Sequence, residues 1–391
     1  MVEIPQGYKL TEVGVIPEDW EVVNLSNIGR FSKGKGIRKD QVLTSGIPCI
    51  RYGEIYTHHN DYIRRFYSFI SPEVARQSQI LNQGDLLFAG SGETSEEIGK
   101  CVAFLGEEEA YVGGDIVILS PQGYDSLYLG YLMNHTLIVQ QKSRMGQGDA
   151  VVHITARNLG LLLIPLPPTL REQQAIADAL SAIDAEISAL DDAIAKSREL
   201  KAGAMQRLLT GEERLPSFSG EWEVKKLGEV APLQRGFDLP TTQLVEGIYP
   251  VIYSNGILNH HSFAMAKGPG VVTGRSGTIG RVQYIEDDYW PHNTTLWVTD
   301  FKENVPKFIY YLYSYIGFER FSTGSGVPTL NRNDIHVFEA LIPQPVEQIA
   351  IVAALSEIDN DIMTLQDQRE KVVALKQSAM QELLTGRRRL I

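Results

Sequence analysis

The sequence predicts an α+β protein in which two mixed α/β domains alternate with two long, antiparallel coiled-coil helices, related by an internal repeat of pseudo-twofold symmetry. Three observations predict this fold. Blocks of sequence recur in the second half of the 391-residue chain, both halves carry a seven-residue apolar pattern, and the segments between the blocks differ. We expect domains over 1–168 and 210–340, a central spacer helix over 169–209, and a distal spacer helix with a C-terminal tail over 341–391.

The repeat appears at two spacings. Residues 18–25 recur as 220–227, an offset of 202, and both copies contain Trp-Glu-Val followed by a leucine. Residues 180–211 recur as 355–386, an offset of 175, and both copies end in Leu-Leu-Thr-Gly. The offsets differ by 27 residues, so the second half is shorter between the shared blocks. Plain tandem duplication with drift in one half is the alternative, but drift confined between two well-kept blocks favours a repeated scaffold that holds two unlike domains.

Both repeated blocks predict a long helix. Apolar residues from Ile176 to Ile194, and again from Ile351 to Leu365, alternate at steps of four and three, which is the a/d pattern of a coiled-coil seam. Over 172–208 the first helix would be about 55 Å long at ~1.5 Å per residue. Ordinary bundle packing also produces such a pattern, but a matched second copy in the same chain favours an intramolecular antiparallel pair.

The predicted helices carry start and stop signals. Thr169 can accept a hydrogen bond from the amide of Glu172 while the Glu172 carboxylate reaches back to the threonine, as in a capping box. Pro345 suits the first turn of the second helix. Gly211 and Gly386 follow the two Leu-Leu-Thr runs and can adopt the left-handed conformation that ends a helix.

Composition predicts an ordinary globular protein of the cytoplasm. Hydrophobic residues make up 43% and charged residues 21% of the chain. No run approaches the ~18 to 20 apolar residues of a membrane span, and the N-terminus lacks the pattern of a signal peptide. Cys49 and Cys101 have no metal-ligand spacing, so we expect both to be buried, reduced, small hydrophobic residues.

The charge balance limits how the chain could bind nucleic acid. The net charge is −12, which argues against a protein that coats nucleic acid through bulk electrostatics. Residues 26–160 carry 13 basic and 14 acidic residues, and residues 228–337 carry 8 and 10. Any DNA contact therefore depends on local basic patches, or on a partner that supplies phosphate contacts.

The sequence resembles the specificity subunits of type I restriction–modification systems across essentially its full length. The resemblance is carried by Gly-Val-Ile-Pro-Glu-Asp-Trp at 14–20, by Ile-Pro-Leu-Pro-Pro at 164–168 with Glu-Gln-Gln at 172–174, and by Ile-Pro-Gln-Pro at 342–345 with Glu-Gln at 347–348. Each string alone is weak. Their order, their repetition and the variable segments between them make the resemblance specific.

The resemblance implies that each variable region is a target-recognition domain that reads one half of a bipartite sequence on double-stranded DNA. It implies that the paired helices dock two modification subunits, which are DNA adenine methyltransferases, and position the restriction subunits. The chain itself would be non-catalytic and would bind no cofactor, because S-adenosylmethionine, ATP and Mg²⁺ would act on the partner subunits. Both variable regions are nearly neutral, whereas the family is expected to need basic recognition surfaces.

One motif suggests an alternative, a single-chain DNA methyltransferase with its own recognition domain. Residues 88–92 have the F-x-G-x-G form of an S-adenosylmethionine loop. Such enzymes also need Asn/Asp-Pro-Pro-Tyr/Phe, but the Pro-Pro at 167–168 is followed by Thr169, and the corresponding segment 271–280 keeps only Ser-Gly. A glycine turn after a strand is therefore favoured. No metal-ligand spacing, nuclease motif or nucleophile–base pair is recognisable.

A coiled-coil adaptor with no DNA role is the third hypothesis. Binding of S-adenosylmethionine by the isolated chain would favour the methyltransferase. Retention on one bipartite DNA sequence would exclude the adaptor.

Candidate DNA contacts in the first variable region are cations, small donors and amides in four places, each of which could equally be a solvated loop. They are Lys33, Lys35, Arg38 and Lys39; His58 and His59 beside Asn60; Ser91 and Thr94 with Gly92 and Lys100; and Arg144 and Gln147 with His153. The first group is the densest basic cluster and suits phosphate contact.

The second region has comparable candidates with the same alternative. They are His260 and His261 beside Asn259; Arg275, Ser276 and Thr278 with Arg281; and Asn331 and Arg332 with Thr329. Arg275 is the candidate reader of guanine in the major groove, and the other groups suit phosphates or base edges.

Overall fold

The computed structural model describes residues 4–148, 151–323 and 328–390. These residues form two compact units. Unit 1 comprises Met1–Ala189 and Arg369–Ile391, and unit 2 comprises Leu190–Gln368. Each unit thus contains one variable region, the first half of one long helix and the second half of the other.

The secondary structure follows in chain order. The strands of unit 1 are β1 (Tyr8–Thr11), β2 (Gly14–Pro17), β3 (Glu21–Asn24), β4 (Gly29–Lys33), β5 (Ile47–Ile50), β6 (Ser68–Ile70), β7 (Gln79–Ile80), β8 (Leu86–Ala89), β9 (Ser91–Gly92), β10 (Cys101–Ala103), β11 (Tyr111–Val112), β12 (Ile116–Pro121), β13 (Val152–His153) and β14 (Leu163–Leu166). Its shorter helices are α1 (Tyr52–Thr57), α2 (Pro72–Ala75), α3 (Ser126–Asn134), α4 (Thr136–Met145) and α5 (Ala156–Gly160). The first long helix is α6 (Leu170–Thr210).

Unit 2 repeats much of this order. Its strands are β15 (Glu223–Lys226), β16 (Leu233–Arg235), β17 (Tyr249–Tyr253), β18 (Gly256–His261), β19 (Gly270–Gly274), β20 (Val282–Ile285), β21 (Trp290–Pro291), β22 (Thr295–Val298), β23 (Ser322–Thr323), β24 (Thr329–Leu330) and β25 (Glu339–Ile342). Its shorter helices are α7 (Leu227–Val230), α8 (Pro306–Ile316) and α9 (Arg332–His336), and the second long helix is α10 (Pro345–Leu383).

The main sheets of the two units have one topology. The strand order is β10-β8-β12-β4 in unit 1 and β20-β19-β22-β16 in unit 2, with antiparallel neighbours throughout. A smaller sheet accompanies each, and in each it contains one parallel pair, β5 with β11 or β17 with β21. The internal repeat predicted from the sequence is therefore confirmed in the fold.

Strand β8 shows how the chain builds its cores. All four of its residues are buried. Successive side chains of a strand point to opposite faces of the sheet. Accordingly Leu86 and Phe88 join the core beneath α3, whereas Leu87 and Ala89 join the core toward the smaller sheet. A strand covered on both faces needs the unbroken apolar run that this sequence has.

The long helices run over Leu170–Thr210 and Pro345–Leu383, and their halves pair antiparallel within each unit. In unit 1, Glu172 on α6 binds Arg389, which follows α10, whereas Asp184 further along α6 binds Lys376 at 2.8 Å. The partner's number falls as the residue number rises, which defines an antiparallel pair. Unit 2 has the same arrangement, with pairs between Lys201 and Asp359 and between Arg214 and Glu347.

The helix ends confirm one part of the predicted capping and correct another. The Thr169 hydroxyl accepts from the Glu172 amide at 3.3 Å, as expected. The Glu172 carboxylate, however, does not reach back to the threonine, because it is buried and bound by the Arg389 guanidinium. Gly211 and Gly386 adopt φ values of 75° and 70°, in the left-handed region predicted for them.

Both cysteines are buried and free, as predicted. Burial raises the pKa of the Cys49 thiol to about 12, so it is a poor nucleophile at neutral pH. Within the described ranges, no helix combines the length and apolarity needed to cross a bilayer.

Candidate nucleic-acid interface

In unit 1, the turn after β8 meets the segment that precedes α5. The Gly90 amide donates to the carbonyl of Asp115 at 2.7 Å, and the Ile154 amide donates to the carbonyl of Gly90 at 3.0 Å. Ser91 and His153 are register partners in the short β9–β13 ladder. The candidates around Ser91 and around His153 are thus brought together. We call this set of backbone hydrogen bonds, which joins residues 90–91, 115 and 153–154, the framework.

Unit 2 builds the same framework from other residues. The Arg275 amide donates to the carbonyl of Thr294 at 2.8 Å, and the Leu330 amide donates to the carbonyl of Arg275 at 2.8 Å. Ser276 forms a bridge with Thr329. Register in the main sheets makes these positions equivalent, because Ala89 faces Ile116 in unit 1 as Gly274 faces Thr295 in unit 2.

The side chains placed on this common framework differ in charge and shape. Where unit 1 has a glycine at position 90, unit 2 has Arg275. Where unit 1 has the carboxylate of Asp115, unit 2 has the hydroxyl of Thr294. A framework that is kept while its side chains change is what a surface needs if each copy recognises a different chemical pattern.

A pocket of about 400 Å³ opens beside the framework of unit 1. Apolar side chains and polar ones share its lining: Phe31, Val117 and Ala156, and Lys33, Ser91, Asp115 and His153. The hydroxyl of Ser91 and Nδ1 of His153 are 2.9 Å apart, so the hydroxyl fixes the orientation of an exposed imidazole.

A cation followed by a glycine borders the framework in both units. Lys33 faces Val117 in the main sheet of unit 1, and Arg235 faces Leu296 at the equivalent place in unit 2. The glycine that follows Lys33 donates to Ile116, and Gly236 donates to Thr295, at 2.9 and 3.0 Å. A Cβ at Gly236 would lie 2.2 Å from the carbonyl oxygen of His292, so only glycine permits this approach.

Arg235 was missed by the sequence analysis, although a signal existed. Lys33-Gly34 and Arg235-Gly236 lie at the same offset of 202 as the tryptophan blocks. Extending the repeat by eight residues, from 25 to 33, would have found the second cation. Asp115 and Thr294 carried no such signal, because only strand register makes them equivalent.

The rest of the basic cluster after Lys33 is exposed. Lys35, Arg38 and Lys39 all lie on the surface. The Arg38 guanidinium is 3.5 Å from the carboxylate of Asp40, and both side chains are 74% exposed, so water screens this pair strongly. These side chains are free to move toward a phosphate.

The first histidine pair divides between surface and interior. His58 is exposed and stacks on Tyr67, with ring centroids 4.2 Å apart. His59 is only 3% exposed, its Nε2 has no hydrogen-bond partner among the residues that the structure describes, and burial lowers its pKa to about 4. The Lys100 ammonium donates to the His59 carbonyl at 2.7 Å, so it supports the loop from inside. We therefore leave His59 and Lys100 out of the interface.

The second pair divides in the same way because both residues lie on strand β18, where neighbours face opposite sides. His260 is exposed. His261 is buried, its Nδ1 lies 2.9 Å from the carbonyl of Val245, and its ring meets Trp290 edge-on at 5.1 Å. Asn259 donates to the hydroxyl of Tyr253 at 3.2 Å. Only His260 of this group is available to a large ligand.

The candidates at positions 144 and 147 lie at the end of α4, next to the framework. Arg144 is exposed in the last turn of α4. Gln147 is exposed, and its backbone N–H donates to the His153 carbonyl at 3.0 Å. Thr94 is exposed on the loop after β9, whereas Ser91 is buried apart from its contact with the pocket.

The late candidates of unit 2 lie on or next to β24. Asn331 caps α9 by accepting from the Asn333 amide at 3.1 Å, and Arg332 is exposed in the first turn. Thr278 is exposed, and the guanidinium of Arg281 donates to the carbonyl of Asn255 at 2.8 Å. Among the described residues, no group of three or more His, Cys, Asp or Glu side chains is arranged to hold a metal ion.

A chain that builds one framework twice and equips each copy with different polar groups is a recognition protein with two related surfaces. The family model described as the type I restriction modification DNA specificity domain matches residues 17–196 and again 219–374. These two matches cover most of the chain, and the chain belongs to this family.

Relatives and solved structures agree with this assignment. The chain is 26% identical to a putative type I restriction enzyme specificity subunit of Methanocaldococcus jannaschii, MjaX, over 98% of this chain and 97% of that protein. It is also 26% identical to the MjaVIII specificity subunit of the same organism, over 55% of this chain and 51% of that one.

The fold matches the S subunit of a type I restriction–modification system from M. genitalium with a TM-score of 0.63, at 15% identity, over 96% of this chain and 97% of that chain. A second structure, from work on complex assembly and conformational transition of the type I system, matches with a TM-score of 0.61 at 15% identity, over 95% and 99%. The resemblance and the fold class predicted from the sequence are confirmed, and the methyltransferase alternative is not favoured.

Proposed function

We propose that this specificity subunit recognises a bipartite sequence on double-stranded DNA, with unit 1 reading one half and unit 2 the other. The observation that carries the proposal is the common framework with exchanged side chains, Gly90 and Asp115 against Arg275 and Thr294. Contacts to phosphates set register without regard to sequence, whereas contacts to base edges specify it. The cations Lys33 and Arg235, placed alike in both units, suit the first task, and the exchanged residues suit the second.

The exposed candidates extend this surface. They are Lys33, Lys35, Arg38, Lys39, His58, Thr94, Arg144, Gln147 and His153 in unit 1, and Arg235, His260, Thr278, Asn331 and Arg332 in unit 2, where Arg275 and Ser276 are half-buried. Both variable regions are close to neutral, so we infer that partner subunits supply a large part of the phosphate contact.

The partners follow from the family. We infer that the chain is non-catalytic, that it assembles with two modification subunits and with restriction subunits, and that S-adenosylmethionine, ATP and Mg²⁺ act on those partners. In support, the relatives are named as specificity subunits and a structural neighbour comes from work on assembly of the type I system. We expect the isolated chain neither to methylate nor to cleave DNA, and methyl transfer by the pure chain would contradict the proposal.

Replacing Arg275 by alanine tests the division of labour. Its side chain extends from the framework of unit 2, where arginine suits N7 and O6 of guanine. In the assembled methyltransferase complex we expect discrimination at one position of one half-site to fall roughly 5- to 150-fold, as expected for loss of a bidentate base contact. The measurement is base-resolution mapping of methylated DNA.

Lys267→Ala, which removes an exposed cation of the same unit away from the framework, is the matched control and should leave the motif unchanged. Equal loss at every position of both half-sites in Arg275→Ala would indicate that this arginine contacts only phosphate. An unchanged motif and unchanged rate would exclude it from the interface.

A further inference from the structure

Asp115 is an acidic residue in an unusual conformation at the edge of the unit 1 pocket. Its φ is 59°, in the left-handed region, which aspartate adopts more readily than most other residues with a side chain. The side chain is exposed and lines the pocket together with Lys33, Ser91 and His153. No sequence motif drew attention to it.

The framework requires the backbone of Asp115 but not its carboxylate. The contribution to the framework is the carbonyl oxygen, which accepts from the Gly90 amide. Thr294 offers the same carbonyl to Arg275 in unit 2 without a carboxylate. Glycine would adopt the left-handed conformation at lower cost. The turn tolerates aspartate but does not require a carboxylate, because glycine and asparagine adopt it as well.

The charge of Asp115 is also unfavourable for a surface that approaches DNA. A carboxylate is repelled by phosphates, so its presence there lowers affinity unless it meets a hydrogen-bond donor. Within the described part of the chain, its carboxylate forms no ion pair or side-chain hydrogen bond, although Lys33 shares the pocket lining. An ionised carboxylate has only acceptors to offer, and amino groups on base edges are the donors that DNA presents in the major groove.

We propose that Asp115 determines specificity in the first half-site by accepting a hydrogen bond from an exocyclic amino group, N4 of cytosine or N6 of adenine. This inference rests on the proposed function and deepens it. At the equivalent position unit 2 presents a hydrogen-bond donor, Arg275, whereas unit 1 presents an acceptor. The base contacted by unit 1 must therefore offer a donor, and the base contacted by unit 2 must offer an acceptor. His153 and Ser91 border the same pocket and limit which base can enter it.

The test compares Asp115→Gly and Asp115→Asn in the full complex with its modification subunits, by mapping methylated positions in DNA that samples all sequences. Glycine keeps the left-handed turn and removes the acceptor, so discrimination at one position of one half-site should fall roughly 5- to 150-fold. At that position the wild-type complex should select one base pair, and the variant should accept others as well. Asparagine keeps an acceptor and adds a donor, which suits adenine, so it should shift the preference there toward adenine or preserve an existing one.

Glu107→Gln, the same change of carboxylate to amide on an exposed loop of unit 1, is the control and should leave the motif intact. If Asp115→Gly keeps the motif and its discrimination, the carboxylate does not read a base and the proposal is overturned. Loss of discrimination only in the half-site that is read by unit 2 would overturn it as well.

A domain exchange separates this failure from failure of the proposed function. Residues 26–160 are replaced by the equivalent region of a relative. If the exchange changes one half-site but Asp115→Gly does not, the function stands and the inference falls. If the exchange changes neither half-site, the proposed function itself is wrong.

Discussion

The two units share a main sheet of one topology but differ in what surrounds it. Between β5 and β8, unit 1 has an insertion over 51–85, whereas unit 2 connects β17 to β19 through the shorter segment 254–269. Both units keep the strand order, the glycine that follows Lys33 or Arg235, and the hydrogen bonds of the framework. The side chains around the framework and the lengths of the connecting segments differ. One sheet topology therefore supports two different sets of side chains around the same backbone framework.

The insertion also changes how unit 1 holds its helices together. In both units a lysine on one helix binds an aspartate on the other, and the carboxylate also accepts from a tyrosine hydroxyl at 2.7 Å. In unit 1 the lysine, Lys376, additionally binds Asp61 from the insertion at 2.6 Å. The three groups are at most 13% exposed, whereas Lys201 and Asp359 in unit 2 are 21% and 27% exposed.

Removing the two lysines should have unequal effects. Lys376→Met leaves the buried carboxylate of Asp61 without its cation and that of Asp184 with only the more exposed Arg64, 3.5 Å away, and we expect unit 1 to lose about 3–5 kcal/mol of unfolding free energy. Lys201→Met opens a pair that water already reaches, and about 1 kcal/mol is expected in unit 2. Hydrogen exchange of amides in each unit measures the two losses separately. Equal losses would show that the second carboxylate adds nothing to the network.

Acid should destabilise unit 1 through His59. Burial lowers its pKa to about 4, from an ordinary value near 6.5, so the folded state holds the ring neutral. As the pH falls from 6.5 to 4, the unfolded chain binds a proton that the folded chain does not, and stability falls by up to about 3 kcal/mol. The loss should appear in amides of unit 1 by hydrogen exchange.

His59→Phe keeps an aromatic ring in this buried site and removes the titrating group. Between pH 6.5 and 4 it should flatten the pH dependence of unit 1 relative to the wild-type chain. A dependence of unchanged steepness would assign the acid response to other groups.

The sequence predicted the parts of this molecule that depend on periodicity and on backbone conformation. Both long helices, their glycine stops and the internal repeat follow from local patterns. The role of Glu172 was predicted wrongly because its true partner, Arg389, is 217 residues away and a favourable local contact was assumed. The burial of His59 and His261 depends on which face of an element each residue occupies, and composition does not fix that. Asp115 was missed for a similar reason, since only strand register places it beside His153.

The smallest effect should come from the cations that the two frameworks share. Lys33 and Arg235 occupy equivalent positions, and we propose that each contacts a phosphate. Replacing either with alanine should weaken DNA binding by the complex a few-fold and reduce the slope of log affinity against log salt by about 1, while every preferred base keeps its identity.

The Arg235 guanidinium lies 3.1 Å from the carboxylate of Asp238, so this cation is partly neutralised and its effect should be the smaller. Asp238→Asn would free the guanidinium and raise the salt slope if this account is correct. If Lys33→Ala instead altered one preferred base of a half-site and left the salt slope unchanged, Lys33 would contact a base and not a phosphate. Lys33 and Arg235 would then have different roles, and the two units would share only the backbone of the framework.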